Sequence, residues 1–567
     1  MKHKTYHSII LLLGCALLAS CGSNGSSSTK NVSISANSVS IASDTVQGDF
    51  SLSTEDGSVS TSDNVYTISA AGTYTATGKL ADGMIYVAAG EEDEVEIVLN
   101  GASITNSTNS AIFVESAGEV KIKAKNGTSN FVTDSRSEQT TEDDSQGPAA
   151  IYAKADLKLA GQGALTVVGG YNNGVHTSDD LEIKNLTLTV TAPNNALKGN
   201  DSLSIYSGTV NAISTSGDAL KTTNSDISST TSKQRGNIEI SGGTLNLYAG
   251  GDGIDAAYNV LVYNGVSEDD PTLTLVPQIT IRTNKYSSYS SSSVLNSVVT
   301  DLMTVENVYP GPGGGWGPGG GAVPGEDTKT ADKADGSAKG IKAANAIYVQ
   351  GGVTDIAAYD DGIHANSGDA LENGSKGVGL IEFDGGTTNI VASDDGVHAD
   401  GTINVKSGSV YVNESHEGIE GNIINILGGR AVAYGTDDGV NSSKQLNVSG
   451  GYLFAAVPSS GDTDAIDSNG SISITGGTVI AAGPNNQNAG AMDADGTVSV
   501  SGGTLVAFGY AAPRNTSLTQ SSKSGTYGGK AYMLTFTNGK IETENLSWSG
   551  YSNCTCYSEL GSITSIS

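Results

Sequence analysis

The chain of 567 residues carries 29 Lys and Arg against 60 Asp and Glu, a formal net charge of −31. That balance disfavours nucleic acid and anionic membrane surfaces as partners and favours cations. Four cysteines are too few for a disulfide scaffold, whereas 75 glycines indicate a backbone that turns often.

Residues 1–21 read MKHKTYHSIILLLGCALLASC: basic residues, then an apolar run too short to span a bilayer comfortably, then Leu18-Ala19-Ser20-Cys21. The segment resembles a bacterial lipoprotein signal, which nominates Cys21 for lipidation. It predicts an extracellular protein held at the envelope surface, with the lipid as its one membrane contact; a plain secretory signal is the alternative. Residues 22–45, opening on a Ser/Gly run, read as a flexible tether. The polar alternating text up to about residue 75 predicts capping strands, residues 83–132 the first repeats, and residues 135–147 an exposed acidic loop.

The body, residues 46–515, is written in one repeated phrase. It is cleanest as IEFDGGTTNIVASDDGVHA at 381–399 and recurs as IEISGGTLNLYAGGDGIDA at 238–256, IYVQGGVTDIAAYDDGIHA at 347–365 and INILGGRAVAYGTDDGVNS at 424–442. Equivalent aliphatic residues such as Ile381, Ile403, Ile424 and Leu446 recur about every 21 or 22 residues, a period typical of stacked solenoid repeats. Three short strands and three turns use up that length, with period-two alternation sending Ile, Val, Leu and Ala inward. The expected fold is all-β, a right-handed single-stranded parallel β-helix with capping strands. The period breaks at about 260–335, read as one long insertion with a Gly/Pro-rich part at 309–321 around Trp316. Residues 516–567 read as a C-terminal capping segment. Cys554 and Cys556 within it receive no role.

In such a stack, equivalent residues lie about 4.8 Å apart. The residue after the inward aliphatic then forms an outward ladder: Lys342, His364, His398, Glu420, Asn441, Asp467 and Asp493. A second ladder in the preceding turn holds Asp361, Asp395, Glu417, Asp438 and Asp464, flanked by Asp360, Asp394 and Asp437, with Asp252 and Asp255 repeating the pattern upstream. Neighbouring carboxylates at that spacing repel by roughly 3 kcal/mol at an effective dielectric near 20. Calcium, which takes six to eight oxygen ligands in flexible geometry, would remove the cost. These acids are therefore the expected Ca²⁺ ligands. The competing reading is that Asp merely suits turns. Lys342, His364 and His398 are candidate ligand-binding residues, the two His either as a metal or sugar contact or as an ordinary exposed pair. Tyr359 and Tyr411 are candidates to stack on sugar rings.

The stretch GTYTATGKLADGMIYVAAGEEDEVEIVLNGASITNSTNSAIFV at 72–114, followed by phrases of the GGDGIDA and YDDGIHA kind, resembles the bacterial cell-surface carbohydrate-binding β-helix proteins related to polysaccharide lyases. The resemblance extends to about residue 510. It implies a calcium-bound β-helix that binds cellulose and acidic plant polysaccharides such as polygalacturonate. Three functions stay open: a non-catalytic polysaccharide-binding lipoprotein acting as a monomer, a calcium-dependent polysaccharide lyase with Lys342 as base, and a surface adhesin or spacer. Adjacent acids recur in several repeats where a catalytic pair would be singular, which favours binding.

Overall fold

Pairing between strands three places apart in the sequence organises the chain. The computed structural model describes residues 42–55, 58–137, 146–283, 337–368, 371–372, 374–486, 488–511, 513 and 515–567. Cys21, Trp316, the Gly/Pro-rich stretch 309–321 and most of the acidic loop lie outside the described residues. What is described is all-β, without helices among the described residues, and most strands join one long sheet.

Each repeat contributes one strand to each of three parallel ladders. Asn173–Thr177, for example, pairs with Leu197–Gly199 in the first ladder, Asp180–Lys184 with Ser202–Ile205 in the second, and Thr187–Ala192 with Thr209–Ser214 in the third. The alternation in the sequence fixes which side chains meet inside. Val175, Leu181 and Leu188 of one repeat are fully buried, and so are their partners Leu197, Leu203 and Val210 in the next. Their stacking yields one continuous apolar core.

Two glycine columns make the tight stacking possible. The second residue of each Gly-Gly turn lies at positive φ, 69° at Gly386 and 74° at Gly477, where L side chains are strained. The glycine of each acidic turn serves a different need, close approach. A Cβ on Gly362 would lie 2.5 Å from the Gly396 carbonyl oxygen, and one on Gly396 would lie 2.6 Å from that of Gly418 and 2.3 Å from Val412.

The period break begins later than the sequence places it. Asn259–Val262 and Gln278–Thr283 are regular members of the second and third ladders, pairing on both sides. What interrupts them is a short antiparallel hairpin, Gly265–Val266 with Thr274–Leu275. The ladders resume at Ile341–Ala343, directly beside Ile254–Ala256.

Parallel pairing gives way to antiparallel pairing at both ends. Ser51–Thr54 pairs with Gly72–Leu80, and Val59–Ser62 with Val65–Ile68, before the parallel ladders start. At the other end Ser549–Ser558 pairs antiparallel with Thr504–Phe508 and with Thr519–Gly528. The C-terminal segment does more than close the last repeat. Leu534, Phe536, Leu546 and Tyr551 pack against the outward side chains Val432, Phe454, Ile480 and Val506 of four successive repeats, burying the third ladder on both faces. Cys554 and Cys556 are free and buried in this second core.

Gly396→Val is expected to destabilise the protein by about 3 kcal/mol or more, because backbone and Val412 both stand where the side chain would go. Gly368→Ala, which meets nothing within 4 Å, should be neutral. Chemical denaturation of both variants checks the contrast.

Candidate functional site

The outward residues of the first ladder form one unbroken column. Direct strand pairing runs from Tyr86 through Phe113, Tyr152, His176, Lys198 and Lys221. It continues through Asp255, Lys342, His364, His398, Glu420, Asn441 and Asp467. Its character changes along the way, from aromatic to basic to mixed to acidic.

At the aromatic end, ring centroids are 5.6 Å apart for Tyr86 and Phe113, 5.3 Å for Phe113 and Tyr152, and 5.3 Å for Tyr152 and His176. A groove of about 530 Å³ opens here, lined by Val65, Met84, Tyr86, Phe113, Glu115 and Lys154 among others. Lys154 binds Glu115 at 2.9 Å and sits 5.7 Å from the Phe113 ring centre, so apolar floor and polar rim stand side by side. The column of rings was not singled out in the sequence. Its signal was the alternation itself, since Tyr86, Phe113 and Tyr152 occupy the same place in their repeats as His364.

Beside this column runs the column of acidic turns, and its carboxylates divide their labour. One oxygen accepts the backbone N–H of the equivalent residue in the next repeat: Asp218 from Asp252 at 2.8 Å, Asp252 from Lys339 at 2.7 Å, Asp361 from Asp395 at 3.2 Å and Asp438 from Asp464 at 3.0 Å. The other oxygen is left for side chains. Asp361 uses it to hold Lys339 and His364, each at 2.5 Å, and Asp395 to hold His398 at 2.9 Å. The turn-forming reading of Asp therefore accounts for one oxygen of each of these carboxylates and not for the other.

The two columns split electrostatically. Upstream, lysines stand among the acids. Lys221 pairs with Asp218 and Asp255, and Lys342 lies 3.5 Å from Asp252 and 3.8 Å from Asp255. The lysine at the Asp360 and Asp361 turn is not Lys342 but Lys339, 3.0 Å from Asp360 and 2.5 Å from Asp361. Lys339 lies in the turn itself, immediately before Gly340, and so takes the place that Asp361 holds one repeat later. Asp361 stays ionised well below the usual carboxylate range: its burial is outweighed by His364 and Lys339. Asp252 is pushed up to about 6 by burial and by Asp255, although Lys342 opposes this.

Downstream no Lys or Arg pairs with the acids among the described residues. Burial, reinforced by Asp395 and Glu420, pushes Glu417 up to about 9. Burial likewise raises Asp438 to about 8, Asp464 to about 7 and Asp467 to about 6, with neighbouring carboxylates adding to it. Asp493 contributes to the field on Asp464 and Asp467. Two further acid groupings bring ligand atoms within 4.8 Å of one another: Asp360, Asp361 and Asp394, and His416, Glu417 and Asp437.

His364 and His398 stack with centroids 4.4 Å apart, and His398 also lies 3.2 Å from Glu420. Burial opposes charge on His398, but Asp395 and Glu420 overcome it and push the imidazole up to about 9. Of the two tyrosines expected to stack on sugars, Tyr359 is exposed, at 40%. Tyr411 instead belongs to the third ladder and packs half-buried against the second core. Sequence reasoning also missed Asp218 and Asp400, each one repeat or one turn away from the phrase that it followed.

The first ladder thus presents a column of outward side chains along parallel strands, with an aromatic and a charged stretch. The family model described as carbohydrate-binding domain-containing protein matches residues 62–378, more than half of the chain, and the chain belongs to that family. A curated relative of the same description from Acetivibrio thermocellus is 39% identical over 122 residues, 21% of this chain. The chain spans 43% of that relative's length. A solved structure of a polysaccharide lyase-like protein from C. thermocellum, a gadolinium derivative, shows 33% identity, with 41% of this chain and 86% of that chain covered and a TM-score of 0.36.

The raised carboxyls carry a pH signature. Groups whose folded value lies above the unfolded one contribute stability at low pH that is lost as pH rises through the folded value. With divalent cations chelated, the melting temperature should fall from pH 5 towards pH 9, led by Glu417 at about 9 and Asp438 at about 8. Scanning calorimetry across that range checks it; a flat or rising profile would contradict the uncompensated charge.

Proposed function

We propose that the protein is a non-catalytic, monomeric surface lipoprotein, anchored through Cys21, that binds polysaccharide along the outward column of a right-handed parallel β-helix. The observation that carries the reading is the groove at Tyr86 and Phe113, which lies inside the family-matched span, on a column that continues through Tyr152 and His176 to Lys198 and Lys221. Aromatic faces take the apolar faces of sugar rings, and the Glu115 and Lys154 rim supplies hydrogen bonds to hydroxyls. A neutral chain such as cellulose suits the groove. An acidic chain such as polygalacturonate suits the lysines and a cation-loaded acidic stretch.

The donor set downstream fits calcium. Glu417, Asp437, Asp438, Asp464, Asp467 and Asp493 offer carboxylate oxygens with no Lys or Arg paired to them among the described residues, His416 lying 3.9 Å from Asp437, and a hard cation with flexible oxygen coordination suits that set. There calcium would relieve repulsion between repeats and present positive charge to uronate groups. Upstream, Asp252, Asp255, Asp360 and Asp361 already face Lys221, Lys342 and Lys339, which lowers their need for an ion.

A lyase needs a free base at the proton next to the uronate carboxylate. Lys339 is held protonated between two acids, and Lys342 faces two more, which supports binding over elimination.

Affinity electrophoresis in gels of a soluble β-glucan and of polygalacturonate, with calcium and with a chelator, tests the reading. Retardation with the polymer left intact is expected, and in the glucan gel Tyr86→Ala should weaken it by roughly tenfold, the loss of one aromatic contact worth about 1.4 kcal/mol. Chelation should weaken only the polygalacturonate interaction. No retardation in either gel would remove the polysaccharide reading.

A further inference from the structure

The stacked histidines have an arrangement that neither sugar contact nor calcium explains. Their rings are 4.4 Å apart and inclined by only 13°. Each Nδ1 is held by the turn carboxylate three residues earlier, Asp361 at 2.5 Å and Asp395 at 2.9 Å. A carboxylate at Nδ1 keeps a proton there and turns Nε2 outward, where a metal ion takes the place of the second proton that the acids otherwise favour; metal-ligating histidines are oriented in this way. Both Nε2 atoms face one oxygen, Asp400 Oδ1, at 3.8 Å from His364 and 3.6 Å from His398.

Those separations are too long for hydrogen bonds. They are close to the spacing of about 3.4 Å between two ligands of a tetrahedral ion with bonds of about 2.1 Å. The rings themselves need only tilt toward each other to share the ion. Imidazole nitrogen selects zinc, copper or nickel over calcium, which prefers oxygen. Charge agrees: Asp361, Asp395, Asp400 and Glu420 outnumber Lys339, which pairs with Asp361, and Lys342, one rung away from His364 and engaged by Asp252 and Asp255.

We propose that His364 Nε2, His398 Nε2 and Asp400 Oδ1 form a three-ligand site for a divalent transition metal, with Asp361 and Asp395 as the carboxylates that orient the two imidazoles. The side chains of His364, His398 and Asp400 are 15%, 25% and 34% exposed, so the fourth position opens onto the outward column, where an oxygen of water or of a sugar chain completes the shell. The site stands independently of the glycan reading and of calcium downstream.

The test uses the full chain stripped with a chelator and titrated with Co²⁺, followed by the visible d–d absorption of the bound ion and by displacement with Zn²⁺ in excess Ca²⁺. One equivalent of Co²⁺ should bind with a tetrahedral or five-coordinate spectrum, yield to zinc and resist calcium. The double variant His364→Ala/His398→Ala should lose the spectrum, Asp400→Asn should weaken binding by tenfold or more, and Asp395→Asn by about tenfold to a hundredfold while keeping the spectrum's shape. Asp400 is exposed enough for its variant to fold if the double variant does not, and melting curves of the metal-free proteins report that directly. Absence of a one-equivalent spectrum, displacement by calcium, or a spectrum that survives in folded Asp400→Asn and double-histidine variants would overturn the site.

Discussion

In-register parallel stacking is the constraint from which the rest of this structure follows. It places like residues about 4.8 Å apart in columns. For Ile, Val and Leu this is a gain, since every repeat buries its neighbour's side chains. For acids it is a cost of roughly 3 kcal/mol per adjacent pair at an effective dielectric near 20. The chain meets that cost by different means in different places. Asn173 and Asn195 keep the early turns neutral, the Asn195 amide N–H donating to the Asn173 amide oxygen at 3.0 Å. Lys221, Lys339 and Lys342 are interposed where acids begin. From Glu417 onward no Lys is interposed among the described residues; the Asn441 amide donates to Glu417 at 3.3 Å, and burial with mutual repulsion pushes the carboxyls up.

That division explains how much was legible in the sequence. The register of Lys342, His364, His398, Glu420, Asn441 and Asp467 could be read directly, because a fixed period places the residue after the inward aliphatic on one line. Lys339 and Asp400 could not. Each lies just outside the repeated phrase, and its relevance comes from the neighbouring repeat, where it meets Asp361 or the two imidazoles. The aromatic rings were hidden for another reason: Phe113 and Tyr152 sit in repeats whose turns lack the Asp-Gly signature that drew attention downstream, and Tyr86 follows Asp82-Gly83 one place later than His364 follows Asp361-Gly362. The path of the C-terminal segment was hidden too. Runs such as TVIAA and TLVAF are apolar at successive positions, the mark of a strand covered on both faces, but not of what covers it.

Coverage also decides which surface remains for function. The C-terminal segment seals the third ladder over Val432, Phe454, Ile480 and Val506. The second ladder neutralises itself, with Lys158 between Glu119 and Glu182, Lys406 against Glu382, and hydrogen bonds between the side-chain amides of Asn404, Asn425 and Asn447. Exposed pairs of this kind add little energy and present no net charge. Among the described residues the first ladder keeps a column in which rings, imidazoles and charges follow one another rung by rung.

The family match ends at residue 378, between His364 and His398, yet the strands do not register that boundary. Ile363–Ala365 pairs with residues 397–399 in the same way as with Ile341–Ala343 before it. Beyond 378 the chain therefore lengthens an existing column instead of adding a separate unit. A polymer lying on it would pass from the aromatic groove over lysines and imidazoles to bare carboxylates without leaving one sheet. Because each repeat contacts mainly its neighbours, the chemistry of one rung changes without disturbing distant ones. Such a scaffold sets the aromatic groove and the acidic turns on one face, and the order of the rungs sets the chemistry of that face.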